Sequence, residues 1–435
     1  QADTLNEARL PAQWDLQSCI DYALEQNITI RKNRVTAEST QIDVKTAKAA
    51  LFPSLSFSTS QQVVNRPYQE TSSRVSGSEI ISSNSKTSYN GNYGLNASWT
   101  IYNGSKRLKT LKQERLNNQV AELDVATSEN MIKESIAQIY IQILYAAESV
   151  RVNENTLQVS IAQCDRGQEL LNAGSIAKSD FAQLEAQVST DRYQLVTAQA
   201  TLQDYKLQLK QLLELDGENE MNVYLPKLSD ENVLAPLPAK KDVYVSALAI
   251  RPEIEASKLN VEASELGIDI AKSSYFPTIS LSAGIGTNHT SGSDFTFGEQ
   301  VKNGWNNSIG LSVSVPIFNN RQTKSAVQKA KLQRETDMLS LLDEQKALYK
   351  TIESLWLDAN SAQQRYAAAN EKLRSTQISY DLISEQFNLG MKNTVELLTE
   401  KNNLLQAQQE QLQAKYMAIL NTQLLKFYQG DKLTL

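Results

Sequence analysis

The chain has 435 residues and a formal net charge of −6, and with a pI near 5.3 and no Lys/Arg block it offers no basic surface for nucleic acid. Mean hydropathy is −0.41, and no run of about 18 apolar residues would carry a helix across a membrane. Two cysteines, one histidine and no CxxC spacing set no disulfide framework and argue against a His/Cys metal centre.

The opening stretch QADTLNEARL lacks the charged and apolar regions of a signal peptide, which leaves open whether one preceded residue 1. From residue 16 the pattern is an amphipathic helix that runs to about 51 and stops at Phe52-Pro53. Proline cannot extend the helix ladder, and it pushes its predecessor toward extended geometry. Polar/apolar alternation then predicts a strand over about 53–64, a Ser/Gly/Asn-rich loop, and a second strand over about 93–102. A helical run of about 68 residues follows, ending near Gly174; at 1.5 Å per residue it would reach about 100 Å. A return helix is expected over 177–214. Turn and proline signals in LDGENEMNVYLPKLSDENVLAPLPAKK then mark a linker over 216–241.

The pattern then repeats. A helix over 242–275 ends at Phe276-Pro277, strands follow over about 277–288 and 308–318, a second long helix ends near Gly390, and a return helix covers 394–428. AALFPSLSFS aligns with SSYFPTISLS, with Pro53 on Pro277 at an offset of 224. Beyond the strands the offset is 216, with Gly174 on Gly390. The chain therefore reads as an internally duplicated helix-strand-strand-helix-helix unit. The first repeat is 1–215, an equatorial linker 216–241, the second repeat 242–428, and a C-terminal equatorial tail 429–435.

Each strand has one apolar face, such as Leu55 and Phe57, or Ile309, Leu311, Val313, Val315 and Ile317; the other face is mostly Ser, Thr, Asn and Gly. That is the alternation of an outer-membrane barrel, and equally that of a soluble antiparallel sheet with one buried face. Four strands cannot close a barrel, and open edges are not tolerated in hydrocarbon. Three chains would pool twelve. Phe52, Tyr102, Tyr275, Phe276 and Phe318 gather at the helix-proximal strand ends, as an interfacial aromatic girdle or as ordinary junction packing.

Apolar stripes such as Ile132, Ile136, Ile139, Ile143, Leu157, Ile161 and Cys164 support coiled-coil packing. Cys19 and Cys164 read as buried thiols in such stripes, too far apart for a disulfide. His289 reads as a solvated loop histidine. No nucleophile, base or phosphate loop stands out, so neither catalysis nor a cofactor is expected.

The opening WDLQSCIDYALEQN, the paired FPSLSFS and FPTISLS, and the paired tip segments GSIAKSD and GMKNTVE resemble TolC-type outer-membrane efflux and secretion channels over essentially the whole chain. The resemblance implies a membrane β-barrel plus a long α-helical coiled-coil tunnel. It further implies a homotrimer with a twelve-stranded barrel and a twelve-helix periplasmic barrel, in the outer membrane of a Gram-negative bacterium. Its implied partners are outer-membrane lipid, a periplasmic adaptor (membrane fusion protein) and an inner-membrane RND or ABC transporter. The function implied is a passive exit duct for efflux or type I secretion, gated at the periplasmic tip. By the same resemblance Glu396 would form a ring that narrows the entrance, unless it is only a solvated acid favoured by the helix dipole. Where a second ring acid would stand, this chain has Thr399. Asp180 is the equivalent position in the first copy. Phe387 stands where related channels place a tyrosine that bonds that acid, so the closed state must be held otherwise or less tightly. Gly174, Ser175, Ile176, Gly390, Met391 and Lys392 are the expected adaptor contacts. The competing reading is a trimeric coiled-coil stalk, adhesin or scaffold anchored by a barrel.

Overall fold

In this computed structural model, residues 11–68, 72–76, 79–83, 86–215, 221–226, 228–230 and 233–434 are described. Parts of the expected linker (216–220, 227, 231 and 232) and both chain termini lie outside them. The chain divides into two units: 1–36 with 122–256 and 342–435, and 37–121 with 257–341.

The second unit is built on one antiparallel sheet of β1 (Ser54–Asn65), β4 (Thr87–Asn103), β5 (Thr278–Thr290) and β6 (Asn306–Ser314), in the order β1-β4-β5-β6. Its register brings like residues together. Leu55, Ala97, Ala283 and Ile309 form one apolar row, and Ser54, Ser98, Ser282 and Gly310 a polar row on the other face. A bulge between Thr100 and Tyr102 skips Ile101 and sets Tyr102 opposite Ile279, so the apolar face ends on a tyrosine. Strand β6 stops at Ser314, short of the expected 318, because Pro316 has no N–H for the ladder. Val315, Ile317 and Phe318 therefore lie beyond the strand. The first inter-strand loop contains a short hairpin, β2 (Ser72–Ser76) with β3 (Glu79–Ser83). The second contains a helix, α7 (Phe297–Asn303), opened by a Thr296–Glu299 capping box. His289 is not in a loop: β5 extends through it, and its ring stacks on Tyr93 at 5.9 Å and fills the space above Gly91.

Each sheet-to-helix joint is two left-handed residues, Gly104-Ser105 before α3 (Lys106–Asn172) and Asn320-Arg321 before α8 (Gln322–Asn388). The exit turn of α2 (Ile28–Ala49) is held by Arg107 Nη1 donating to Ala50 O at 2.7 Å and Trp99 Nε1 donating to Leu51 O at 2.8 Å.

Two expected helices are each broken in two. The first becomes α1 (Leu16–Gln26) and α2, separated by Asn27; the second becomes α5 (Lys240–Ile250) and α6 (Pro252–Ser273), separated by Arg251. Asn27 is extended, and its side-chain oxygen accepts from Thr29 N at 2.9 Å, making it the N-cap of α2. Pro252 expels Arg251 from helical geometry. The two breaks lie 224 residues apart (251 − 27), the offset of the Phe-Pro junctions.

The first unit's core packs α1, α3, α4 (Lys178–Leu212) and α9 (Thr394–Gln429) around Cys19, Ala23, Ile136, Tyr140, Leu209 and Leu424. A second cluster joins α5, α6, α8 and α9 through Val243, Ala247, Ile254, Ile352 and Leu425. Ala23 and Ala247, and Ile136 and Ile352, occupy like places. Both cysteines are free; Cys19 is buried, but Cys164 only partly, short of the burial expected of it.

Candidate functional site: the two hairpin tips

Both hairpins reverse through the same backbone form. Gly174 and Gly390 have φ of +73° and +74°, and a Cβ at either would meet nothing within 4 Å. Conformation, not space, selects glycine; another residue costs about 1–2 kcal/mol in the left-handed region. Ser175 N donates to Leu170 O at 2.8 Å and Gly174 N to Leu171 O at 3.0 Å. Met391 and Gly390 repeat the pair on Gln386 and Phe387 at 2.8 and 2.9 Å. These are Schellman caps that satisfy the last carbonyls of α3 and α8.

The helices that leave the tips differ. Asn393 caps α9: its Oδ1 accepts from Glu396 N at 2.9 Å, while Glu396 Oε2 accepts from Asn393 N at 3.2 Å. The other carboxylate oxygen takes Lys392 Nζ at 2.6 Å. The Lys392 ammonium, and then the Asn393 amide, hold the Glu396 carboxyl below the usual carboxylate range. At the first tip Ala177 has no side-chain acceptor, so only half the arrangement exists: Asp180 Oδ2 accepts from Ala177 N at 3.4 Å.

Thr399 is exposed one turn beyond Glu396, its hydroxyl donating to Val395 O at 2.7 Å. Phe387 is buried, as are Thr394 and Leu397 on either side of Glu396. Gly174, Ser175, Gly390 and Met391 are exposed, Ile176 and Lys392 half-buried. The structure brings Lys392, Glu396 and Thr399 together on adjoining turns, whereas Asp180 keeps its hydrogen bond within its own turn. In the other unit Phe52, Tyr102, Tyr275, Phe276 and Phe318 are all exposed.

Three features escape the sequence reading. Lys392 partners Glu396, which the i,i+4 spacing signals. Leu389 is exposed at the second tip. Asp191 of α4 and Lys401 of α9 form a buried ion pair between residues 210 apart, for which no local pattern exists.

The family described as outer membrane efflux protein matches residues 19–214 and 243–430. The chain is 25% identical over 294 residues to the outer membrane efflux protein BepC of Brucella suis, covering 67% of this chain and 61% of BepC. It is 24% identical over 341 residues to the outer membrane protein TolC of Escherichia coli K12, covering 75% of this chain and 66% of TolC. The matched part thus spans somewhat under two thirds of each relative. A crystal structure of CusC, described in terms of transmembrane channel formation, superposes with a TM-score of 0.82 at 19% identity, over 97% of this chain and 94% of CusC. The fold is shared with that channel over nearly the whole of both chains, and with both long blocks matched the chain belongs to the outer membrane efflux protein family.

Proposed function

We propose that the chain is one protomer of a passive outer-membrane duct for efflux or secretion, neither an enzyme nor a stalk. One observation carries the reading: the apolar residues of the sheet lie open, Leu95, Trp99 and Ile285 on the central strands and most of all those on the two edge strands. β6 is exposed at every residue and β1 at all but one, with Leu55 at 70% and Ile309 at 78%. A soluble sheet would bury its apolar face; hydrocarbon outside and water inside suit this one. Among the described residues both edges, β1 and β6, are unpaired, an arrangement hydrocarbon does not tolerate. Three copies edge to edge give a closed barrel of twelve strands, with the aromatic residues from Phe52 to Phe318 as its helix-side girdle. A stalk would carry its barrel segment at one end of the chain, whereas here strands lie midway within each half.

The matching helix breaks, left-handed joints and tip glycines support the duplication, with repeats over 1–215 and 242–428 joined by the linker 216–241 and closed by the tail 429–435. The tips form the periplasmic entrance. Three Glu396 carboxylates, each attended by Lys392, ring it with Thr399 one turn further on; Asp180 and the buried Phe387 shape the same level from each hairpin. The exposed turns at Gly174-Ser175-Ile176 and Gly390-Met391-Lys392 receive a periplasmic adaptor, which links the duct to an inner-membrane RND or ABC transporter.

Single-channel conductance in a planar bilayer tests the reading, beside trimer mass in detergent. Small cation-selective steps that grow in Glu396→Ala are expected. A monomer that does not insert would overturn the duct.

A further inference from the structure

The large apolar clusters of the helical unit draw on residues such as 136–144, 209–223 and 416–433, and none draws on the ten residues either side of Ser160, Asp191 or Lys401. Single buried leucines, Leu157, Leu184, Leu397 and Leu404, flank a polar cluster that joins the hairpins there. The Asp191 side chain is 1% exposed and that of Lys401 3%. Lys401 Nζ on α9 and Ser160 Oγ on α3 both donate to Asp191 Oδ2, while Gln187 Nε2 donates to Asp191 Oδ1 at 2.9 Å. Gln187 also reaches Asn402 Oδ1 at 3.3 Å. One carboxylate thus gathers donors from three helices. Beside it lies a cavity of about 110 Å³ lined by Val152, Thr156, Tyr380, Lys401 and Leu404, so the apolar packing of α9 at this level is incomplete and the polar contacts add direction to it. Burial lowers the Lys401 pKa, and Asp191 offsets that only in part.

Buried ion pairs contribute little net stability against apolar replacements; their better-attested use is to fix register. At about 100° per residue, Glu396 lies roughly 140° around α9 from Lys401, and Thr399 roughly 160°. With Lys401 held inward, both must face away from their own bundle.

We propose that Ser160, Asp191 and Lys401 are positioning residues for the channel entrance: the pair pins the rotation of α9 against α4 and so aims Glu396 and Thr399 at the pore. Resting on the reading of the protein as a duct entered at the tips, the inference assigns to these three residues the hold on the closed state that a tip tyrosine hydroxyl cannot give in this chain.

The test uses the full-length protein with Cys164→Ser, Cys19 being fully buried. Nitroxide labels at Gln183→Cys on α4 and Asn403→Cys on α9, both exposed, report the hairpin spacing by pulsed electron resonance. Lys401→Met is measured beside Asp191→Leu/Lys401→Met, which leaves no uncompensated charge and keeps the fold testable. The expected result is a narrow distance distribution that broadens in both variants, with a several-fold drop in the cation-to-anion permeability ratio at unchanged trimer mass. An unchanged distribution would overturn the pin, and a broadened one with unaltered selectivity would overturn its role in aiming Glu396 and Thr399. Glu396→Ala in the parent separates the two readings: if selectivity ignores it, the entrance assignment fails, while the spin-label distances still decide the pin by themselves.

Discussion

Glu396 is bound twice within its own turn, once to a lysine and once to a backbone amide. Both contacts favour the carboxylate, so its pKa is lowered. A carboxyl with a lowered pKa keeps its charge as pH falls through the ordinary carboxylate range and loses it only below. Cation selectivity should therefore persist on acidification into the ordinary carboxylate range. In Lys392→Met the loss should begin at higher pH, while selectivity at neutral pH rises because no ammonium offsets the ring; reversal potentials across a pH series would check both. This residue pair was partly legible. Asn393-x-x-Glu396 is a capping box in plain sequence, and Lys392 stands four before Glu396. Asp191 and Lys401 were not, because a long-range ion pair leaves no periodicity. At the 216-residue offset Asp191 (191 + 216 = 407) falls on Ala407, and Lys401 (401 − 216 = 185) on Glu185, so the repeat hides the pair as well.

Strands and joints follow local chemistry closely. Alternation placed the faces of β1, β4, β5 and β6, and Phe-Pro placed the ends of the helices before them. The misses have equally local causes. Asn27 ends one helix by capping the next, and Pro252, inside an otherwise helical pattern, splits another. The bulge at Ile101 depends on pairing with β5 some 180 residues on, which single-strand patterns cannot carry. The two faces of β6 make contrary demands on substitution. Ile309→Arg, on the apolar face near mid-strand, should cost about 2–4 kcal/mol of membrane stability and block insertion. Ser308→Arg, on the opposite face, should insert and lower cation selectivity; heat-modified gel mobility in outer-membrane fractions distinguishes them. Equal tolerance of both would remove the lipid-facing assignment.

At the scale of the molecule, one chain supplies a sheet with two open edges, and the proposed assembly is what closes them. The proposed duplication can be argued from the sequence, but the number of copies enters only through edge satisfaction. Paired cysteines placed across β1 (Leu55, Phe57 or Thr59) and β6 (Ile309, Leu311 or Val313) should, in one register, give covalent trimers on denaturing gels. Monomers and random dimers in every register would remove the shared barrel. The unlike caps at the two tips, Ala177 with Asp180 against Asn393 with Glu396 and Lys392, have a consequence for whatever docks there. A threefold assembly of this chain presents six reversals of nearly sixfold backbone symmetry but only threefold chemistry, alternating around the axis. A ligand that binds once per reversal meets two kinds of seat, so saturation should come in two steps of three, and a single uniform step of six would require it to ignore side chains altogether.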